Sequence, residues 1–261
     1  MKKLISSPAI LALFAAIFLF GYQAQGSVSF NRGSDDFVQT GISVGTSSFT
    51  FECWVYMVNA SSTGNYSILE AQGPSNAEDK TLRLIAGSGA TFADLYADVQ
   101  TGGVVNQATT PTSTQYLNQW IYARARFNAP AKTIDVYGWN SSLQLIGSSS
   151  TATTASSTTN NFGVNIAGSY PFNTPNTGPN HNVFNGYMRN CYISHDVATD
   201  QQTLDRAQAT NPTLTAPGNA FLFFPLMDAS DAVRELVNHT IIAPTSTIFT
   251  GPNPPLLQQS Y

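Results

Sequence analysis

Charged residues are scarce in this chain of 261 residues. They make up 10% of the sequence, against about 25% in an average soluble domain. The net charge is -4, and no cluster of Lys or Arg occurs after residue 3. Proteins that bind nucleic acid neutralise phosphate groups with clustered basic side chains. The composition therefore argues against nucleic acid as a partner.

Patterns of catalytic and metal-binding residues are also missing. The three histidines, His181, His195 and His239, fall on separate segments without ligand spacing, and there is no G-x-S-x-G motif. Glycoside hydrolases need two carboxyl groups about 5–10 Å apart. Asp94 and Asp98 are the one pair with the right parity to share a face of a predicted strand. We therefore predict that the protein is not an enzyme.

Long apolar runs are absent except at the N-terminus. Lys2 and Lys3 precede an apolar stretch from about Pro8 to Phe20, and Ala-Gln-Gly at 24–26 fits a small-residue cleavage site. The stretch is short for a bilayer helix, which needs about 20 residues. We predict that residues 1–26 are a cleaved signal peptide and that the protein is secreted. An uncleaved membrane anchor is the alternative.

The chain has two cysteines, Cys53 and Cys191. Export from a reducing cytosol makes such a pair a disulfide candidate. The alternative is two buried free thiols that behave as small apolar groups.

Short strand-like runs, separated by Gly, Pro, Ser, Thr and Asn, fill the chain after residue 26. In FTFECWVYM, residues 49–57, side chains alternate between two faces, as in a β-strand. Many such runs about ten residues apart predict an all-β sandwich or barrel. The sequence also predicts one short helix from Asp200 to Gln208, with Thr199 or Asp200 as its N-cap. Segments 148–160 and 170–182 are predicted as loops. We expect one domain over 27–246 and an irregular tail over 247–261.

Five stretches resemble laminin G-like, concanavalin A-like jelly rolls of the pentraxin-related superfamily. They occur in the family's order over about residues 27–240: GSVSFNRGSDDFVQT, SSFTFECWVYM, LNQWIYARARFNAPAKTIDVYGWN, VFNGYMRNCYISHDVATDQQTLDRAQ and AFLFFPLMDASDAVRELVNHT. The resemblance implies two antiparallel sheets packed face to face and one short helix. It places Phe49, Phe51 and Val55 in the core.

The resemblance also implies positions for the cysteines and for Trp54. It puts Cys53 and Cys191 in core slots of two strands, where they form a disulfide if the strands are neighbours. Trp54 is expected on the outer surface, packed under a loop.

Some relatives, the pentraxins among them, hold calcium with an acidic cluster in a late loop. The corresponding loop here, AGSYPFNTPNTGPNHN, has no carboxylate, so we expect no pentraxin-type calcium and no cofactor. Asp35 and Asp36 are candidates for a separate structural calcium. Such residues more often shape turns by binding nearby backbone.

We expect the protein to bind extracellular glycans or glycoproteins without catalysis. Aromatic rings stack on sugars and amide side chains bind hydroxyl groups. The alternative is a structural or adhesive surface protein that self-assembles as a homo-oligomer. The predicted ligand-binding residues are Tyr170, Phe172, Asn173, Asn176, His181 and Trp139.

Overall fold

The computed structural model describes twelve segments of the chain. They are residues 27–30, 37–43, 47–58, 64–72, 79–86, 93–101, 104–155, 163–168, 184–195, 197–208, 220–224 and 249–251. The predicted signal peptide, residues 1–26, lies outside them.

These segments contain fourteen strands, one α-helix and a short 3-10 helix at Thr114–Tyr116. The strands and the α-helix are β1 (Ser27–Phe30), β2 (Val38–Ser43), β3 (Phe49–Met57), β4 (Gly64–Gln72), β5 (Asp79–Ala86), β6 (Ala93–Thr101), β7 (Val104–Thr109), β8 (Trp120–Asn128), β9 (Thr133–Asn140), β10 (Leu145–Ala152), β11 (Gly163–Ile166), β12 (Gly186–Ser194), α1 (Asp200–Gln208), β13 (Ala220–Phe224) and β14 (Phe249–Gly251).

The strands form two antiparallel sheets. The eight-stranded sheet has the order β10-β9-β8-β3-β12-β1-β14, and β13 also pairs with β12. The six-stranded sheet has the order β2-β11-β4-β5-β6-β7. Strands distant in sequence are therefore neighbours in both sheets. The predicted all-β, two-sheet jelly-roll sandwich with one short helix is confirmed.

The core lies between the two sheets. Phe49, Phe51 and Val55 are fully buried on the inner face of β3, as predicted. They belong to one apolar cluster with the inward side chains of the six-stranded sheet, which include Leu69, Leu82, Leu84, Leu95 and Val99. Burying these side chains is the main driving force for folding.

A disulfide joins Cys53 on β3 to Cys191 on β12, across 138 residues of sequence. The Cα atoms are 4.1 Å apart because the two strands are neighbours in the eight-stranded sheet. The predicted disulfide is confirmed, and the alternative of two free thiols is wrong.

A β-bulge surrounds this disulfide. Arg189 pairs with Trp54 and Tyr192 pairs with Glu52, so Asn190 and Cys191 together face Cys53. Asn190 has a φ of 48°, a left-handed conformation that asparagine tolerates better than most residues. In a regular strand, residues three positions apart point to opposite faces. The extra residue of the bulge lets Met188 and Cys191 both point into the core.

Three elements differ from the sequence prediction. β7 was not predicted, because its sequence VVNQAT lacks a long apolar run. The predicted loop 148–160 begins with the second half of β10, where the sequence is rich in serine. The tail 247–261, predicted to be irregular, contains β14, which pairs with β1.

Helix α1 has the predicted bounds, and Thr199 is its N-cap. Thr199 Oγ1 accepts a hydrogen bond from the Gln202 backbone N–H at 3.2 Å, and Gln202 Oε1 accepts one from the Thr199 N–H at 2.8 Å. This reciprocal pair is a capping box. No helix in the described part of the chain is long and apolar enough to cross a membrane.

Candidate functional site

Each sheet has an outer face, turned away from the core. On the eight-stranded sheet, α1 covers part of this face and encloses a buried network of charges. Glu52 accepts hydrogen bonds from Thr203 Oγ1 at 2.6 Å and from Arg206 Nη1 at 3.1 Å. Arg124 Nη1 donates to Asp200 Oδ1 at 2.8 Å. Glu52, Arg124 and Arg206 are all 0% exposed. The network therefore holds α1 on the sheet.

Arg124 and Arg126 alternate on β8, a pattern that usually indicates a solvated surface. That interpretation is wrong for Arg124, which is buried beneath α1. Arg126 is partly buried, where Nε donates to Asp135 Oδ2 at 2.9 Å and Nη1 donates to the Ala198 carbonyl at 2.7 Å. The sequence shows the alternation but not the helix that covers it.

Aromatic side chains pack beside this network. Trp54 Nε1 donates to the Ala207 carbonyl of α1 at 2.9 Å, so Trp54 packs on the outer face under a helix rather than under a loop. Trp139, one of the predicted ligand-binding residues, stacks on Tyr137 with ring centroids 5.5 Å apart. Trp139 is 6% exposed. Little of its ring is therefore available to a ligand.

The outer face of the six-stranded sheet carries a row of polar residues instead. Opposite residues of antiparallel strands share a face, so the strand register sets the row. Glu70 pairs with Asn165 and with Thr81, and Asp98 pairs with Thr81 and with Gln107. The row crosses five neighbouring strands.

A second row lies beside the first, formed by Ser67, Arg83, Tyr96 and Thr109. A register shift at Ile68, between Ser67 and Leu69, puts Ser67 and Glu70 on the same face. The two rows together form the polar face, which we define as Ser67, Glu70, Thr81, Arg83, Tyr96, Asp98, Gln107, Thr109 and Asn165.

Hydrogen bonds fix the carboxylates of the polar face. Glu70 accepts from Ser67 Oγ and from two guanidinium nitrogens of Arg83, with Nε at 3.0 Å. Asp98 accepts from Thr81 Oγ1 at 2.7 Å and from the Tyr96 hydroxyl at 2.9 Å. These donors hold both carboxylates in place.

Burial raises the pKa of Asp98, although the nearby Arg83 guanidinium and the donors Thr81 and Tyr96 offset part of the rise. Burial also raises the pKa of Asp94, on the same strand.

Tyr96 and Gln107 are the accessible members of this arrangement. Gln107 is exposed and Tyr96 is partly buried, and the Tyr96 hydroxyl lies 3.1 Å from Gln107 Oε1. Asp98 orients the Tyr96 side chain by accepting a hydrogen bond from its hydroxyl. The result is an aromatic ring beside an amide group. Tyr96 is oriented by its partly buried hydrogen bond to Asp98, and Gln107 by its contact with the Tyr96 hydroxyl.

Solved structures share this arrangement of sheets. A native heptameric SAP-like pentraxin from Limulus polyphemus superposes with a TM-score of 0.60 at 11% identity, covering 88% of this chain and 96% of that chain. The fold is a concanavalin A-like jelly roll. This finding confirms the resemblance in the sequence. No protein-family model and no curated protein sequence matches the chain.

Two other structures contain a similar jelly roll within longer chains. Domains LG4-5 of the mouse laminin α1 chain align at a TM-score of 0.52 and 13% identity, over 89% of this chain and 47% of that chain. Tailspike protein 2 of an Escherichia coli O157:H7 bacteriophage aligns at a TM-score of 0.52 and 6% identity. The alignment covers 67% of this chain and 23% of that chain. At these identities the likeness shows the fold alone.

The jelly roll places Asp94 and Asp98 on the same strand face, four residues apart. That spacing separates them by about 13 Å, more than the 5–10 Å of hydrolase carboxyl pairs. Within the described segments, no three His, Cys, Asp or Glu side chains are grouped so that they could hold a metal ion.

The remaining predicted site residues lie outside the described segments of the jelly roll. They are Asp35, Asp36, Tyr170, Phe172, Asn173, Asn176 and His181. Sequence reasoning missed Tyr96 and Gln107. The Tyr-x-Asp spacing of Tyr96 and Asp98 placed both residues on one strand face, but Gln107 lies on β7, which was not predicted.

Proposed function

We propose that the protein is a secreted, non-catalytic domain that binds extracellular glycans or glycoproteins through the outer face of the six-stranded sheet. The observation that carries this proposal is the supported pair of Tyr96 and Gln107. The ring offers a surface for stacking on a sugar, and the amide can donate to one hydroxyl and accept from another. Because Asp98, which is itself held by Thr81, accepts a hydrogen bond from the Tyr96 hydroxyl, little conformational entropy is lost on binding.

Two features support binding without catalysis. Glu70 and Asp98 already accept hydrogen bonds from protein donors, and both are almost completely buried. A general acid or base must reach the proton that it transfers. These carboxylates therefore serve to orient neighbouring groups rather than to react.

Extracellular localisation is supported by the disulfide and by the leader-like residues 1–26. Disulfides persist in oxidising compartments and are rare in the cytosol.

A glycan array probed with residues 27–261, once with calcium and once with a chelator, tests the proposal. We expect selective binding in both conditions. Gln107→Ala should abolish it, whereas Gln115→Ala, which removes another exposed glutamine, should leave it unchanged. A blank array from folded protein would contradict a glycan-binding role.

The same array tests the predicted loop residues. Loss of binding in Tyr170→Ala and Phe172→Ala, with Gln107→Ala unaffected, would move the site from the sheet to that loop. Loss of binding only in the chelator would indicate a calcium ion, for which Asp35 and Asp36 are the proposed ligands.

A further inference from the structure

A chain of hydrogen bonds runs through the polar face, from a buried carboxyl group to the surface. Thr81 Oγ1 donates to Asp98 Oδ1 at 2.7 Å. The Tyr96 hydroxyl lies 2.9 Å from Asp98 Oδ2 and 3.1 Å from Gln107 Oε1. Asp98 is 4% exposed, whereas Gln107 is open to solvent. The chain therefore connects a carboxyl group that a ligand cannot reach to an amide that it can.

The Tyr96 hydroxyl has one hydrogen, so it can donate to only one of these two acceptors. When Asp98 is ionised, its carboxylate takes that hydrogen, because hydrogen bonds to a charged acceptor are the stronger ones. The Tyr96 oxygen is then left as an acceptor, and the Gln107 amide satisfies it by turning its Nε2 group inward. Gln107 Oε1 consequently faces outward, where it accepts hydrogen bonds and donates none.

Protonation of Asp98 reverses the direction of this chain. Oδ1 still accepts from Thr81 Oγ1, and the new proton on Oδ2 donates to the Tyr96 oxygen. The Tyr96 hydroxyl then donates to Gln107 Oε1, and the Gln107 Nε2 group faces outward as a donor. The state of one buried carboxyl group thus decides whether the exposed amide offers a ligand an acceptor or a donor.

The ionisable groups near Asp98 are mostly acidic. Among the described side chains on this face, they are Glu70 on β4, Arg83 on β5, and Asp94 and Tyr96 on β6. The sequences of β2, β7 and β11 contain no ionisable residue. Arg83 donates to Glu70, which balances its charge. With Asp98 ionised, the face therefore has an excess of negative charge and repels an anionic ligand.

We propose that the polar face binds neutral sugars in preference to sulfated or carboxylated ones while Asp98 is ionised, and that Asp98 sets this selectivity through Tyr96 and Gln107. The selectivity presupposes the glycan-binding function proposed for this face. Sugar hydroxyls both donate and accept, so they bind either orientation of the Gln107 amide. A sulfate or carboxylate group only accepts, so it needs the Nε2 group outward. Protonation of Asp98 supplies that orientation and removes one negative charge.

NMR of the ligand-free mature chain tests the chain of hydrogen bonds. We expect nuclear Overhauser effects between the Gln107 side-chain amide hydrogens and the Tyr96 ring at about pH 7, and weaker ones at about pH 3.5, where Asp98 takes up a proton. Asp98→Asn should give the weak pattern at both pH values, because its amide donates to the Tyr96 oxygen as the proton does. Asp94→Asn should behave like the wild type. Equal effects at both pH values in the wild type would overturn the role of Asp98.

A glycan array that carries sulfated glycans beside their unsulfated parents tests the selectivity. At about pH 7, the wild type should bind the sulfated forms at least about tenfold more weakly than the parents. Asp98→Asn should bring the two forms within about threefold of each other. Asp94→Asn also removes a negative charge but leaves Asp98 in place, so it should keep most of the discrimination. Equal binding of both forms by the wild type would refute the selectivity.

The two measurements separate this selectivity from glycan binding itself. A blank array, from wild-type chain that shows the pH-dependent Overhauser effects, would contradict the glycan-binding function and the selectivity with it, while the role of Asp98 in orienting Gln107 would stand. Binding of parent glycans without discrimination would contradict the selectivity alone.

Discussion

At the scale of single residues, Gly186 is under the tightest steric constraint. A Cβ atom built on it would lie 2.0 Å from the carbonyl oxygen of Tyr56, and its φ of 154° is unusual for other residues. β12 and β3 would have to separate to admit a methyl group. We expect Gly186→Ala to lower the free energy of unfolding by roughly 1–3 kcal/mol in urea titrations. Exposed Ser148→Ala should change it by less than about 0.5 kcal/mol. Equal stability of Gly186→Ala and the wild type would contradict this packing.

Asp98 gives a prediction about pH. Burial raises its pKa in the folded chain above the ordinary value of 3.8, so the folded protein holds the proton more tightly than the unfolded chain. The contribution of Asp98 to stability is therefore complete below 3.8 and is lost as the pH rises through the raised pKa. We expect Asp98→Asn to gain stability relative to the wild type across this window.

Urea unfolding of both proteins between about pH 3.5 and pH 7 measures the difference. Burial also raises the pKa of Asp94 and Asp135, but their effects are common to both proteins and cancel. Parallel stability curves would show that Asp98 ionises alike in the folded and unfolded chains.

The sequence predicted single residues well where alternation was unbroken. Phe49, Phe51 and Val55 lie in the core because β3 is regular along its length. The alternation of β12 is broken at Asn190, and no residue pattern marks that bulge. Glu52 and Arg124 look like surface residues in the sequence. Their burial depends on α1, which is about 150 residues away from β3 along the chain.

At the scale of elements, the ion pair between Glu52 and Arg206 connects α1 to β3. Removing one partner would leave an unpaired buried charge, which costs about 3–5 kcal/mol. We expect Glu52→Gln and Arg206→Met each to destabilise the protein strongly. The double variant should lose much less than the sum of the two, as measured by urea unfolding.

Gln208→Ala, at the exposed end of α1, is the control for this double-mutant cycle and should unfold like the wild type. Additive losses in the double variant would mean that the two side chains stabilise the protein independently.

A helix or strand could be predicted from the sequence when its amino-acid composition differs clearly from that of a loop. Helix α1 was predicted to its bounds with Thr199 or Asp200 as its N-cap, and the structure shows that Thr199 and Gln202 form a capping box there. β7 was missed because its buried positions are held by Asn106 and Ala108 rather than by large apolar residues. The serine-rich half of β10 has the composition of a loop, and only its pairing with β9 makes it a strand.

At the scale of the whole molecule, the disulfide closes a loop of 138 residues between two adjacent central strands. Cross-links over loops of this length restrict the unfolded chain and stabilise the native state by up to about 5 kcal/mol. We expect Cys53→Ala/Cys191→Ala to unfold at lower urea concentration, with a loss of about 2–5 kcal/mol. A reducing agent should destabilise the wild type by a similar amount and leave the double variant unchanged. If both treatments leave the midpoint unaltered, the bond does not constrain the unfolded chain.

Most of the few cationic side chains of this protein are buried or largely buried. Six of the eleven Lys and Arg residues are buried or largely buried: Lys80, Arg83, Arg124, Arg126, Arg189 and Arg206. In the described part of the chain, the exposed surface is therefore poor in cationic groups and rich in hydroxyl and amide groups, which water solvates at any ionic strength. A ligand approaching such a surface is not steered by long-range fields, which salt screens. An uncharged partner such as a neutral glycan should therefore meet the protein at the same rate in concentrated brine as in dilute buffer.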